Sequence, residues 1–350
     1  MAEGAFIRNI LVSRLRFMGD VILTTPVLAN LKSRFHACRI VYLTQKPYGE
    51  LLSGHPWVDE ILSLPDSLSS QYRLLRTLRR GGFDLAIDLF GNPRSAAWTY
   101  LSVAPMRIGG DYRGRRLLYT HRIRSDGKTS AVDFHLNYLA PLSIGECSKE
   151  TFLSVTQEER DQAVSRLTGA GLDPRKRMAG LHPGATWPAK QWLPERFAGL
   201  AARLFREMDT QVLLTAGPGE ESLAGSIRDS CPEPVTLFER LSIRELMALI
   251  QCMDVYVSND CGPMHIGPAV QTPTIGIFGP GEPEIWFPYS SENGHRFIHR
   301  EIDCSRCHRD FCSDKRCMEA IRVEDVFVET AKVLKAGRSE RGIRRIPHAP

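Results

Sequence analysis

The chain has 350 residues, 43% of them hydrophobic and 24% charged, the make-up of a folded protein of about two domains at ~150 residues each rather than a disordered, collagenous or coiled-coil chain. Lys and Arg number 45 against 40 Asp and Glu, a balance of +5; residues 335–350 hold five basic residues and one acid, which leaves +1 for the body, so no nucleic-acid partner is expected. No stretch nears the ~20 apolar residues of a spanning helix, and Arg8, Arg14, Arg16 and Asp20 interrupt the apolar start, so neither a membrane span nor a leader peptide is expected, and a cytoplasmic protein is.

Taken in chain order, residues 6–13 form an apolar run of strand length, and over 20–35 Val21, Thr24, Thr25, Leu28 and Leu31 recur at helical spacing. Strands are expected at Arg39–Thr44, 58–64 and 83–89, with helices at Leu68–Arg80 and 94–103 between them. A polar helix at 157–167 leads into a charged, Gly- and Pro-containing stretch at 169–177, and the alternation then restarts. Strands follow at Met178–His182, 211–216, Val255–Asn259 and Thr274–Phe278, with helices at Pro194–Met208, 222–229, 242–252 and a final amphipathic one at 322–335. Near-continuous apolar strands alternating with helices mean parallel sheets covered on both faces. The expected architecture is α/β: two doubly wound, Rossmann-like domains, 1–171 and 172–350, facing a central cleft. The last helix and basic tail would pack back toward the first domain. Ligands of such sheets bind at the carboxyl ends of the strands.

Several cofactor signatures are missing. No GxGxxG follows the first strand, where Gly19 stands alone, and there is neither a P-loop nor an HExxH. Three strand–helix junctions carry chemistry instead. Met18-Gly19-Asp20-Val21 puts a carboxylate after the first strand, as a helix cap or as an acceptor for a substrate hydroxyl proton. The loop His182-Pro-Gly-Ala-Thr186-Trp-Pro-Ala-Lys190 is rich in turn formers, and Thr186 and Lys190 would offer a hydroxyl and an ammonium to phosphate oxygens. In Ser258-Asn-Asp260-Cys261-Gly262-Pro-Met-His265 a β-branched strand runs into a helix start, whose free N–H groups at Cys261 and Gly262 suit a diphosphate. Asp260 read alone is a cap, and His265 read alone is a buried, hydrogen-bonded side chain.

Together these three motifs, in this order and spacing, resemble glycosyltransferase family 9, the ADP-heptose:lipopolysaccharide heptosyltransferases of the two-domain GT-B fold; the likeness runs from residue 8 to about residue 330. The resemblance implies inverting, metal-independent transfer of heptose from ADP-heptose to the inner core of lipopolysaccharide, with no cofactor required. It assigns Asp20 as general base in an acceptor-binding N-terminal domain. In a donor-binding C-terminal domain it assigns Thr186 and Lys190 to the donor phosphates and Asp260, Gly262 and His265 to the donor motif. A carboxylate holding the nucleoside corresponds to Glu220 or its neighbour Glu221, with Glu220 preferred. Cys261 departs from the Thr common in the family. The acceptor would be met at the inner-membrane surface by a peripheral protein. Two other readings stay open: another nucleotide-sugar GT-B enzyme with a different donor or acceptor, and a non-catalytic scaffold binding anionic lipid.

Two features stand outside the motifs. Arg113, Arg115 and Arg116 belong to an arginine cluster in the first half, either a solvated face or contacts for phosphates of the acceptor. Cys304, Cys307, Cys312 and Cys317 lie within fourteen residues and open with CxxC. They suit a structural zinc, reduced thiols or a local disulfide; the segment resembles that of the second-heptose enzymes. The odd total of nine cysteines argues against a disulfide framework.

Overall fold

A computed structural model describes residues 7–337 apart from 66, 125, 126, 128 and 146. The chain divides between Ser154 and Val155 into two compact units. In the first, β1 (Asn9–Ser13), β2 (Arg39–Thr44), β3 (Glu60–Ser63), β4 (Leu85–Asp88), β5 (Met106–Gly110) and β6 (His121–Ile123) form a parallel sheet in the order β3-β2-β1-β4-β5-β6. In the second, β7 (Met178–His182), β8 (Gln211–Thr215), β9 (Val235–Phe238), β10 (Val255–Asn259), β11 (Thr274–Phe278) and β12 (Arg296–His299) repeat that order as β9-β8-β7-β10-β11-β12. Each sheet is doubly wound, and its strand order reverses between the unit's first and fourth strands. The crevice at such a reversal is where open α/β sheets take ligands.

The inner strands are apolar on both faces because both are covered. Ile10, Leu11 and Val12 of β1 and Val255, Tyr256 and Val257 of β10 are fully buried. On one side of the first sheet, Leu74 and Leu78 of the helix Leu68–Arg80 and Trp98 of the helix Pro93–Leu101 pack on Leu11, Val41 and Leu43. In the second unit Phe197, Leu200 and Leu204 of the helix Pro194–Met208 join Val326, Phe327 and Leu334 of the helix Val323–Ala336 over the sheet. Among the described residues no helix is long and apolar enough to cross a membrane.

Three expectations are corrected. The boundary falls seventeen residues before the expected 171/172, because the helix Gln157–Gly169 is tied into the second unit: Glu159 pairs with Arg244 at 2.6 Å, and Arg166 with Glu245 at 2.6 Å. The last helix joins the second unit's core, and the basic tail beyond Gly337 lies outside the described residues. The single helix expected over 20–35 is two, Met18–Ile22 and Thr25–Arg34. Pro26 has no N–H for the carbonyl of Ile22, and the Thr25 hydroxyl donates to that carbonyl instead, at 2.8 Å. Finally, β5, β6, β9 and β12 lie in stretches where the sequence pattern marks no strand; three of them are short edge strands with mixed polarity.

Candidate active site

In the second unit the candidate residues collect where β7, β8 and β10 end. β7 lies between the other two, with His182 in register with Ser258. The loop after β7 is fastened to β10 by Asn259. Its side chain, fully buried, accepts the Trp192 N–H at 3.1 Å and donates to the Pro183 carbonyl at 2.7 Å. Gln191 closes the loop on itself by donating to the Ala185 carbonyl at 3.0 Å. Lys190 is thereby held over the start of the next motif: its Nζ lies 2.6 Å from Asp260 Oδ2 and 4.7 Å from the centre of the Trp187 ring. Thr186 sits exposed on the same loop. Gly281 backs the pair, since a Cβ there would lie 2.4 Å from Asp260 Oδ2.

Of the two neighbouring carboxylates, Glu220 is the one packed against the β7 loop. Glu220 accepts the Gly217 N–H at 2.8 Å, and its carboxylate lies against Gly184 of the β7 loop so closely that a Cβ on Gly184 would come within 2.0 Å of it. The same carboxylate is 3.4 Å from His182 Nε2, while Nδ1 of that ring is 3.1 Å from the Thr215 hydroxyl. Burial holds His182 below the ordinary imidazole range, against the pull of Glu220. Glu221 is the first residue of the helix Glu221–Ser230.

After Asp260 the backbone enters a 3-10 turn, Gly262–His265, with Cys261 extended at its start. The Cys261 thiol lies 3.3 Å from the Ser258 hydroxyl, and burial pushes it up to about 12, so it stays protonated. His265 is buried beneath the turn with Nδ1 2.7 Å from the Tyr289 hydroxyl; burial, aided by Lys190, lowers it to about 3, which keeps the ring neutral.

In the first unit Asp20 is the third residue of the helix Met18–Ile22, at the carboxyl end of β1. Its Oδ2 accepts the Phe17 N–H at 3.2 Å; Phe17 holds the N-cap position, so Asp20 is not the cap but reaches back to it from the first turn. The Arg14 guanidinium pairs with the same carboxylate. Arg14 is itself fixed by a 2.7 Å bond to the Leu89 carbonyl and by stacking 4.8 Å above Phe90. Ser13 and Asp88 face each other across the strand-order reversal. Asp88 is wholly enclosed: the hydroxyls of Tyr119 (2.6 Å), Ser95 (2.8 Å) and Ser13 (3.3 Å) and the N–H groups of Phe90 and Gly91 (both 3.0 Å) donate to it. Burial raises its pKa in spite of those donors, making it a weaker acid than an ordinary carboxyl.

Comparison with known proteins identifies the chain. The family model described as glycosyltransferase family 9 (heptosyltransferase) matches residues 71–317. This protein is a family 9 glycosyltransferase. It is 27% identical over 336 residues to lipopolysaccharide heptosyltransferase 3 of Escherichia coli (strain K12), covering 91% of this chain and 96% of that one. Among solved structures it resembles a family 9 glycosyl transferase from Veillonella parvula (TM-score 0.83, 24% identity, 94% of this chain and 98% of that one). It also resembles an E. coli ADP-heptose lps heptosyltransferase II (TM-score 0.77, 19% identity, 94% and 99%). The two doubly wound units are those of the GT-B fold.

The remaining candidates of this family 9 glycosyltransferase lie apart from the strand ends just described or beside them. Arg113, Arg115 and Arg116 surround the 3-10 turn Arg115–Leu118 between β5 and β6, with Arg115 stacked 5.2 Å from the Tyr112 ring and the other two exposed. All nine cysteines are free thiols. Cys304, Cys307 and Cys312 line one cavity of about 370 Å³, and Cys317 is buried beside it. Among the described residues no three His, Cys, Asp or Glu side chains come together as a metal-ligand set, so the zinc expectation gains no support from this geometry. The segment has a scaffolding contact: the Asp310 carbonyl accepts the Ala189 N–H at 3.1 Å, next to Lys190. Sequence reasoning missed Asn259 and Arg14. Each is a polar residue at the end of an apolar strand, which is the signal that was available.

Proposed function

We propose that this chain transfers heptose from ADP-heptose to the inner core of lipopolysaccharide, with inversion at the anomeric carbon and without a metal. The observation that carries the reading is the Lys190–Asp260 pair at the strand-order reversal of the second unit, beside Glu220 seated on Gly184. Breaking the bond to a diphosphate builds negative charge on the leaving group and positive charge on the sugar. Lys190 meets the first need as a fixed cation, and the amides of Cys261 and Gly262 add donors at the start of the next turn. Asp260 contacts the donor sugar, Thr186 a phosphate oxygen, and Glu220 the ribose hydroxyls of the nucleoside. His265, neutral and bonded to Tyr289, shapes the turn from beneath. In the first unit Asp20, oriented by Arg14 and the Phe17 N–H, accepts the proton of the attacking hydroxyl. Arg113, Arg115 and Arg116 serve the phosphates of the acceptor. The work is done in the cytoplasm at the inner face of the membrane.

The test is ADP release from ADP-heptose by the purified, chelator-treated chain, using core acceptors truncated before the second and before the third heptose, with the product's anomeric configuration read by NMR. ADP-, UDP- and GDP-sugars compete in parallel. Release with one acceptor and an inverted product is expected. Failure to bind ADP, or preference for another nucleotide, removes the reading.

A further inference from the structure

The near-neutral average of the body hides a strong local imbalance. Residues 67–124 contain eleven arginines, no lysine, no glutamate and three aspartates, a balance of +8 in a chain whose total is +5. All three aspartates are already bonded, one of them to an arginine of this stretch. Asp84 accepts the N–H groups of Arg8 and Asn9, Asp88 is enclosed, and Asp111 pairs with Arg124 at 2.8 Å.

The fold gathers much of this charge on one side of the first unit. The helix Pro93–Leu101 packs against both the helix Leu68–Arg80 and the turn Arg115–Leu118. On the helix Leu68–Arg80, Leu74 and Leu78 point into the core, and Arg73, Arg76, Arg79 and Arg80 are exposed. Arg94, on the helix Pro93–Leu101, is exposed as well. Large apolar side chains stand out among these arginines: Leu68 is 83% exposed, Leu117 73%, Tyr72 62% and Val103 61%. Scattered exposed apolar residues are ordinary. Four on neighbouring elements, among the arginines of a stretch, 67–124, whose three aspartates are all bonded, are not.

We propose that this face docks the first unit on an anionic lipid bilayer. Arginines held near such a surface gain from its negative potential, and leucine, valine and tyrosine side chains enter the boundary between headgroups and acyl chains. A nucleic-acid partner would use the charge but leave the aliphatic side chains without a role. The inference does not depend on the transfer reaction. It gives the peripheral placement suggested above a specific surface, formed chiefly by a helix that no catalytic role involves.

The test is flotation of the full chain with vesicles of phosphatidylethanolamine and phosphatidylglycerol, against vesicles of phosphatidylcholine alone, at physiological salt. Binding to the anionic vesicles only is expected. With roughly a fivefold gain per arginine, the R73Q/R76Q/R79Q/R80Q variant falls by more than about a hundredfold. The L68S/Y72S variant, whose charge is unchanged, falls roughly tenfold. ADP release measured with a delipidated, soluble acceptor stays at the parental level in both variants, so a failed docking surface and a failed transferase reading give different results. The proposal is overturned if the parent ignores anionic vesicles, if both variants bind like the parent, or if the parent retains duplex RNA while leaving the vesicles free.

Discussion

Replacing Asn259 by Ala tests how the second unit holds its cation. The side chain makes two buried bonds, donating to the Pro183 carbonyl at 2.7 Å and accepting the Trp192 N–H at 3.1 Å, at the two ends of the loop that carries Lys190. Alanine leaves both backbone groups buried without these partners, at about 1–3 kcal/mol each, so a loss of about 2–6 kcal/mol is expected in the second unit. Asn259→Asp separates the halves. It keeps an acceptor for Trp192 but sets an oxygen against the Pro183 carbonyl, so it should be no better than Ala. Urea unfolding followed by Trp fluorescence reads the stability, and ADP titration reads the loop. Nucleotide affinity should fall in both variants, since Lys190 is no longer pinned over Asp260. Parental stability together with parental ADP affinity in Asn259→Ala would refute the idea that this residue builds the site.

Asp20→Asn keeps a single oxygen, so it can accept from the Phe17 N–H or from Arg14 but not from both, and a loss of about 1–3 kcal/mol is expected, while turnover drops by about 10²–10⁴; near-normal ADP release would remove the base assignment. Gly184→Ala drives a methyl into the Glu220 carboxylate and should weaken ADP roughly tenfold or more while leaving inhibition by inorganic diphosphate unchanged, as should Glu220→Gln. His265 has a folded value of about 3 against an unfolded 6.5, so on acidification the unfolded chain takes up a proton that the folded chain refuses. Stability is therefore full above pH ~6.5 and falls through the window toward pH ~3, by about 2 kcal/mol between pH 7 and pH 5. His265→Gln should flatten that part of the urea-midpoint profile, and an unchanged slope would count against a neutral buried ring.

What the sequence made legible follows from how each element earns its place. Inner strands such as β1, β7 and β10 are buried on both faces and read as apolar runs; edge strands such as β6 and β12 are covered on one side at most and carry Arg and His, so no pattern betrays them. Lys190 and Asp260 were legible because strand–turn–helix junctions announce themselves with Gly, Pro and polar residues. Their pairing was not, since it depends on β10 lying beside β7 although 72 residues separate His182 from Asp254, the residue that precedes β10. The unit boundary was misread because a Gly- and Pro-containing stretch marks a bend as readily as a linker. It is the long-range Glu159–Arg244 pair that decides which unit owns the helix before it.

The first unit offers two carboxylates at its strand-order reversal, and physical accessibility separates them. Asp88 would be the obvious candidate by position, as the last residue of β4 opposite Ser13. Yet it has no exposed surface, and five donors already occupy its oxygens. A carboxylate so enclosed cannot receive a hydroxyl from outside without dismantling Tyr119, Ser95 and the Phe90–Gly91 turn. It acts as the post on which that edge of the sheet is built. Asp20 keeps 16% of its side chain exposed, and its fixed partners, Arg14 and the Phe17 N–H, come from the preceding turn. Two partners leave lone-pair positions open on a carboxylate that offers about four, so an incoming hydroxyl can be accepted without breaking the bonds that aim it. Replacing Asp88 should therefore unfold the edge, whereas replacing Asp20 should stop the chemistry.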